Sequence, residues 1–262
     1  METLENKNHQ AIDRLLNIMS ELRLKCPWDK KQTLESLRCN TIEEVYELAD
    51  AVMDGNMDEI RKELGDILLH VVFYCKIGEE QNKFDFADVA NGLCEKLIIR
   101  HPHVFGDAKA DTDEAVKVNW EKIKLNSKEG RKSVLEGVPN SLPAMIKAYR
   151  IQDKVHGVNF DWQNPQDVLN KVKEEIAEFE HEQQEHDHEK MENELGDVLF
   201  SIINYARFMH INPENALEKT NRKFINRFQR MEQAIADDHK NITDMQLEEM
   251  DIYWNKIKED EK

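Results

Sequence analysis

Residues 43–47 read EEVYE and residues 63–66 read ELGD, and both acidic motifs return later in the chain as EEIAE at 174–178 and ELGD at 194–197. Corresponding positions of these motifs lie 131 residues apart throughout. An internal repeat of this kind indicates that one structural unit is used twice. We therefore expect both copies to fold in the same way.

The repeat continues on both sides of the acidic motifs. Further matched pairs are Trp28/Gln32 with Trp162/Gln166, Lys96/Arg100 with Lys223/Arg227, and the stretch from Trp120 to Lys124 with the stretch from Trp254 to Lys258. Between the copies, Gly and Pro residues interrupt the helical pattern, which is typical of a domain boundary. We predict an N-terminal domain at 1–128, a linker at 129–140 and a C-terminal domain at 141–262.

The hydrophobic pattern predicts an all-α fold. Apolar residues recur at helical spacing, as at Ile42, Val45, Leu48 and Val52, and no segment alternates as a strand would. The fold class that follows is two tandem helical units of the four-helix type. Gly65 costs about 1 kcal/mol relative to Ala inside a helix, and because it recurs in the second copy it predicts a close approach of two helices.

The acids of each copy should face one another. At 100° per residue, Glu43, Glu44 and Glu47 fall on one third of a helix circumference, and the next helix carries Glu63 and Asp66 only 60° apart. Two carboxylates about 4 Å apart repel by roughly 4 kcal/mol at an effective dielectric of 20. A divalent cation would compensate this repulsion, and oxygen ligands favour Mg²⁺, with Mn²⁺ as a substitute.

The acids admit two other interpretations. Acidic residues usually lie on solvated helix faces, but independent surface acids have no reason to recur at one spacing. Di-iron helical bundles pair a Glu with a His three residues later. The ELGD motifs do not supply that pair, because Glu63 and Glu194 are each followed at this spacing by Asp. Oxygen ligands alone point to phosphate chemistry rather than redox iron.

The composition disfavours two classes of binding partner. Asp plus Glu number 53 against 36 Lys plus Arg, a formal charge of −17, which disfavours binding to nucleic acid or to anionic membranes. The four cysteines form no CxxC pair, and neither a leader segment nor a membrane-spanning segment is evident. We expect a protein of the cytoplasm.

The acidic motifs, together with CPWDKKQTLESL at 26–37, RHPHVFG at 100–106 and a W-x-K-I-K stretch near the end, resemble the MazG nucleoside triphosphate pyrophosphohydrolases. The resemblance covers essentially the whole chain in the tandem form. It implies hydrolysis of an NTP or dNTP to the monophosphate and pyrophosphate, with Mg²⁺ bound by acidic helices. It also implies an all-α homodimer in which helices of two chains interlock.

The resemblance also assigns roles to individual residues. In the second copy it implies metal ligation by Glu175, Glu178, Glu194 and Asp197, and in the first copy by Glu44, Glu47, Glu63 and Asp66. It implies a nucleotide site formed by Lys171, Val172, Lys173, Glu174, Glu175, Lys223, Arg227, Trp254 and Lys258. For Trp254, packing in the core is the competing interpretation.

The expected chemistry is attack of water on the α-phosphorus, with Glu174 or Glu175 orienting the water and Lys223 and Arg227 assisting. The resemblance implies that the C-terminal copy is the main catalyst. The first copy keeps the corresponding acids together with Lys96 and Arg100, so its residues leave open whether it is also active. The helix that carries the cations of the C-terminal copy should also be longer, because Pro102 ends the matching helix of the first copy. The alternative function is a non-catalytic helical dimer that binds metal or nucleotide and regulates a partner.

Overall fold

The computed structural model describes residues 4–108, positions 112, 116, 119, 120 and 123, and residues 133–260. Its helices are α1 (Leu4–Lys25), α2 (Leu34–Asp54), α3 (Met57–Glu80), α4 (Phe86–Arg100), α5 (Pro102–Phe105), α6 (Ala144–His156), α7 (Pro165–Glu185), α8 (His188–Phe208), α9 (Pro213–Asp237) and α10 (Leu247–Glu259). Short 3₁₀ turns occupy Asp29–Lys31 and Ile242–Asp244. No strand occurs in the described residues, so the predicted all-α class is confirmed.

The chain divides into two compact units, Met1–Lys109 and Ala110–Lys262. Each unit contains one copy of the repeated acidic motifs. Part of the predicted linker, residues 129–132, lies outside the described residues, so the boundaries at 129 and 140 remain a prediction. Among the described helices, none is both long and apolar enough to cross a membrane.

The first unit is held by an apolar core that α1, α2 and α3 share. Its buried members are Met19, Leu37, Val72, Phe73 and Ile77. Burying a side chain of this size contributes about 1.5–3 kcal/mol, so the helical pair formed by α2 and α3 is anchored along one face. The acids Glu44, Glu63 and Asp66 lie further along the same pair, where their carboxylates converge between α2 and α3.

The turns between the acidic helices are equivalent in the two copies. Gly55 (φ 66°) ends α2 in the left-handed conformation. His186 (φ 56°) occupies the equivalent position of the second copy and ends α7 in the same way. Asn56 then caps α3 and Asp187 caps α8, each accepting a hydrogen bond from backbone N–H groups of the next helix. The two hairpins therefore start their second helix at the same register.

The second unit is built around two helix pairs, α7 with α8 and α9 with α10. Met231, Ile235 and Ile257 form the buried centre between α9 and α10. On α6, the side chain of Lys154 is only 1 % exposed, and its Nζ donates to the backbone carbonyl of Val134 at 3.0 Å. This contact ties the segment that precedes α6 to the rest of the unit.

The helices that carry the predicted cations differ in length as the sequence predicted. Helix α4 ends at Arg100, directly before Pro102. Helix α9 runs from Pro213 to Asp237, and Asn212 caps it by accepting from the backbone N–H of Asn215 at 3.0 Å. The prediction that the cation-bearing helix is longer in the C-terminal copy is confirmed.

The predicted close approach at the duplicated glycine is wrong for both units. A Cβ added to Gly65 or to Gly196 would meet no atom within 4 Å among the described residues. The neighbouring acidic helix therefore packs on another face of α3 and of α8. A glycine inside a helix identifies a position where a side chain is absent, but the sequence does not say what lies opposite it.

Candidate metal and nucleotide site

In the second unit, three carboxylates converge between α7 and α8. One carboxylate oxygen from each of Glu175, Glu194 and Asp197 lies within 4.8 Å of the other two. Glu175 comes from α7, whereas the i, i+3 spacing of ELGD places Glu194 and Asp197 on one face of α8. We call these three residues the C-terminal trio.

The buried member of the C-terminal trio already has partners within its own helix. Glu175 is 8 % exposed, and Lys171 donates to its Oε1 at 2.9 Å and to Oε1 of Glu174 at 2.7 Å. These two hydrogen bonds raise the pKa of Lys171. Interaction with the neighbouring carboxyl group of Glu175 raises the pKa of Glu178, and the negative charge of Glu194 raises it further. The protein thus offsets part of the trio's negative charge itself.

The first unit repeats this arrangement between α2 and α3. Carboxylate oxygens of Glu44, Glu63 and Asp66 lie within 4.8 Å of one another. We call these three residues the N-terminal trio. Burial raises the pKa of Glu44, and the charges of Asp66, Glu47, Glu63 and Glu43 raise it further. Holding these groups together in the ionised state therefore costs free energy.

The buried acid of the N-terminal trio is only half satisfied. Glu63 is 3 % exposed, and Lys62 donates to its Oε1 at 3.1 Å. No donor in the described part of the chain reaches its Oε2, which is buried. A buried carboxylate oxygen without a partner is unfavourable by about 1–3 kcal/mol or more, so this atom is suited to ligate a cation.

Both trios fit a hard divalent cation. Their donors are carboxylate oxygens only, which suits Mg²⁺, Mn²⁺ or Ca²⁺ better than a metal that prefers nitrogen or sulfur. Three carboxylates also leave coordination positions for water or phosphate. Among the described residues, these two trios are the only groups of three or more ligand side chains that converge in this way.

The fourth predicted ligand of each copy lies outside its trio. Glu47 and Glu178 are both exposed, one turn further along their helices. The predicted ligand sets are therefore brought together as three residues, with the fourth at the edge.

The residues expected beside the nucleotide take different positions on α7. Val172 is buried, Lys173 is exposed, and Glu174 is held by Lys171. Only Lys171 and Glu174 therefore present polar groups next to the C-terminal trio. Val172 can contribute packing beneath it.

The predicted cations and the aromatic residue lie on α9 and α10. Lys223 is exposed and Arg227 is half-buried, and α9 also contacts α8, which carries two members of the trio. Trp254 packs against the core between α9 and α10, and its ring centroid lies 5.2 Å from that of Phe224. Lys258 is exposed near the end of α10. In the first copy, the counterpart Lys124 lies outside the described residues.

Sequence reasoning missed two features of the first unit. Lys62 forms an ion pair with the adjacent Glu63, and no sequence motif predicted it. Beyond Asp66 on α3, His70 and Tyr74 both contact Thr41 of α2. Oγ1 of Thr41 lies 2.9 Å from Nδ1 of His70 and 2.8 Å from the hydroxyl of Tyr74. Burial lowers the pKa of His70. His70 lies one helical turn after Asp66, and this spacing is the sequence feature that could have indicated a histidine beside the acids.

Two helical hairpins that each bring three carboxylates together define an all-α protein with a duplicated acidic centre. The family model for the MazG nucleotide pyrophosphohydrolase domain matches residues 32–105 and, a second time, residues 163–231. The chain therefore belongs to the MazG family, in a form with two tandem domains. The resemblance inferred from the motifs is confirmed.

Two relatives match the chain over nearly its full length. The nucleoside triphosphate pyrophosphohydrolase of Escherichia coli strain K12 is 41 % identical over 257 residues, which cover 95 % of this chain and 98 % of that protein. The nucleoside triphosphate pyrophosphohydrolase/pyrophosphatase MazG of Thermotoga maritima is 43 % identical over 249 residues, 94 % of this chain and 95 % of that protein. An uncharacterised protein of Bacillus subtilis, YabN, is 44 % identical over 90 % of this chain and 49 % of its own length.

Proposed function

We propose that this protein hydrolyses nucleoside triphosphates to a nucleoside monophosphate and pyrophosphate. The observation that carries the proposal is the C-terminal trio, which lies inside a matched MazG domain. The names of the two full-length relatives, at 41 % and 43 % identity, support the same activity. We further propose that the C-terminal copy performs most of the turnover.

The C-terminal copy would hold its cation through Glu175, Glu194 and Asp197, with Glu178 at the edge. We propose Mg²⁺ as the physiological ion and Mn²⁺ as a substitute, because both accept oxygen ligands. When bound, such an ion would neutralise charge on the triphosphate and favour attack by water. We propose the equivalent set Glu44, Glu47, Glu63 and Asp66 for the first copy.

Other side chains of the protein would orient the attacking water and bind the nucleotide. Glu174 and Glu175 are candidates to orient the attacking water, because they lie next to each other at the start of the acidic motif on α7. Lys171 already lies between them. Lys223 and Arg227, one turn apart on α9, can present two positive groups to phosphate oxygens. Trp254 and Lys258 would complete the nucleotide site.

Product analysis in isotopically labelled water tests this reaction. We expect the protein, incubated with Mg²⁺ and ATP in ¹⁸O water, to release AMP and pyrophosphate, with the ¹⁸O in AMP, because water attacks the α-phosphorus. Label in pyrophosphate would place the attack at the β-phosphorus. Release of ADP and orthophosphate would contradict the proposed reaction. Nucleotide binding with no product from any NTP or dNTP would favour the alternative, a regulatory helical dimer.

We also propose that the protein is a homodimer. Leu64, Leu68 and Val71 form an exposed apolar row on α3, and Leu195, Leu199 and Ile202 repeat it on α8. Apolar rows of this kind on a helix usually pack against another surface.

Light scattering at micromolar concentration tests the oligomeric state. We expect a mass twice that of one chain, whose own mass is 30.8 kDa. Placing a charge in each apolar row, as in Leu68→Glu combined with Leu199→Glu, should shift the mass toward one chain, because charges are costly to bury. A single-chain mass for the unaltered protein would contradict the dimer.

A further inference from the structure

Each acidic hairpin is closed at one end by a tight turn and is open at the other. At the open end of the second copy, residues 157–164 connect α6 to the start of α7, and α8 reaches its last turn. Among the described helices, α7 packs mainly against α8. The position of the first turn of α7 therefore depends on whatever fastens residues 157–164 to the end of α8.

Asp161 and Arg207 form that fastening, and we call these two residues the C-terminal clamp. Nη2 of Arg207, near the end of α8, donates to Oδ2 of Asp161 at 2.6 Å, and Nδ1 of His156 lies 2.7 Å from the same oxygen. The other carboxylate oxygen of Asp161 accepts from the backbone N–H of Trp162 at 2.9 Å. The side chains of Arg207 and Asp161 are only 9 % and 10 % exposed. Hydrogen bonds between charged groups are the stronger class, so this contact can hold the loop in place.

The first copy fastens the same end of its hairpin with different residues. Arg23, near the end of α1, donates to both carboxylate oxygens of Glu80 at the end of α3, at 2.9 and 2.5 Å. Its Nη1 donates to the backbone carbonyls of Asp29 and Gln32, which lie in the segment that enters α2. The side chain of this arginine is 9 % exposed, as is that of Arg207. Both copies thus use a buried arginine at the open end.

The residue that fastens the second helix of the hairpin is acidic in the first copy and basic in the second. The counterpart of Arg207 is Lys76, which pairs with Glu79 on its own helix at 2.9 Å. The counterpart of Glu80 is the apolar Ile211. Duplication alone would have kept one set of residues for this contact. Because the residues differ and the fastening remains, the fastening itself matters to the hairpin.

The C-terminal trio lies where a loose open end would displace it. Glu175 is roughly midway between Pro165, which begins α7, and His186, which ends it. With the turn at His186 as the pivot, a parting of about 2 Å at the open end would move Glu175 by roughly 1 Å relative to α8. A misplacement of about 1 Å can cost about a hundredfold in rate.

We propose that Arg207 and Asp161 are positioning residues for the C-terminal trio. By fastening the start of α7 to the end of α8, they set the distance of Glu175 from the two acids of α8. This inference rests on the proposed function, because the hydrolytic rate is what the positioning serves. The clamp acts through α7 and has no role in binding the nucleotide.

Arg207→Met tests the proposal, because methionine keeps an unbranched side chain and removes the charge. We expect kcat with Mg²⁺ and ATP to fall at least about tenfold in the folded variant. Hydrogen exchange followed by mass spectrometry should show amides of residues 158–170 exchanging at least about tenfold faster. KM for ATP should change less than kcat, because Lys223 and Arg227 lie on α9. Arg207→Lys should recover part of the rate, since lysine keeps the charge but lacks the planar fork.

A double variant and a variant of the first copy serve as controls. Arg207→Met combined with Asp161→Asn should lose no more rate than the worse single variant, because both changes remove one contact. Arg23→Met removes an equally buried arginine from the first copy. It should speed exchange at the end of α3 and keep more than about half of kcat, because the trios lie in separate units.

Faster exchange with unchanged kcat would show that the clamp is only structural, and a lower kcat with unchanged exchange would show that Arg207 does not act by holding α7. Either result overturns the inference, as do additive losses in the double variant. Circular dichroism checks folding, and Asp161→Asn carries the test if Arg207→Met does not fold. Absence of hydrolysis by the unaltered protein would instead overturn the proposed function, and the exchange rates would still report whether the clamp holds α7.

Discussion

Removal of divalent cations is expected to abolish hydrolysis while both helical units stay folded. The C-terminal trio places three carboxylates within 4.8 Å of one another, an arrangement that repels a triphosphate unless a cation intervenes. Charge stabilisation by a metal is worth several kcal/mol, so we expect a loss of at least about a thousandfold. The apolar cores around Met19 and Met231 contain no trio residue, so helicity should persist.

The measurement is pyrophosphate release in excess EDTA, alongside far-ultraviolet circular dichroism on the same sample. Adding back Mg²⁺ or Mn²⁺ should restore the rate, which is the control against irreversible damage. Full turnover in excess chelator would mean that the trios do not act through a metal. Loss of helicity on chelation would mean that the ion is structural, and the rate would then report unfolding rather than chemistry.

The convergence of the acids could be predicted because it depends on local periodicity. The spacing of EEVYE and ELGD puts each set of acids on one helix face, and a short turn brings the two faces together. The turn itself was less evident, since His186 takes the left-handed conformation that Gly55 adopts in the first copy. Residues other than glycine enter this region less readily. Alignment of the second copy with the first, rather than the residue type, therefore identifies the turn at His186.

Features that depend on tertiary packing could not be predicted. Glu47 and Glu178 share a helix face with the trios, but both are exposed, and helical angles do not determine whether the facing helix covers a given turn. The Lys62 ion pair depends on the side-chain direction of an i, i+1 neighbour. The expectation at Gly65 failed for a related reason. A helix propensity measures the cost of a glycine, whereas the presence of a neighbour depends on the fold.

Glu175→Gln is expected to remove most of the hydrolytic activity, and Glu44→Gln to remove little of it. The two positions are equivalent members of the two trios, and each change keeps the side-chain size while it removes a ligand charge. Losing a partner outside the ligand shell typically costs 10–100-fold, so losing Glu175 itself should cost at least about a hundredfold. Glu44→Gln should retain more than about half of the rate, because the trios lie in separate units.

The matched pair controls for effects on folding. Glu175 is buried beside Lys171, so its replacement also leaves that lysine with fewer partners, and thermal melts must show that the variant is folded. Glu178→Gln, at the exposed edge of the same site, should have a smaller effect than Glu175→Gln. A series in which the loss decreases from Glu175 to Glu178 would locate the chemistry at the trio rather than at the helix surface.

The ratio of kcat/KM between folded Glu44→Gln and folded Glu175→Gln, measured with Mg²⁺ and ATP, tests the central claim most directly. If the C-terminal trio is the hydrolytic centre, we expect a ratio of at least about fifty, which is the hundredfold loss in one variant set against half of the rate kept in the other. A ratio near one would mean that the two trios contribute equally, and a ratio well below one would place the hydrolytic centre in the N-terminal copy. Either result would contradict the account.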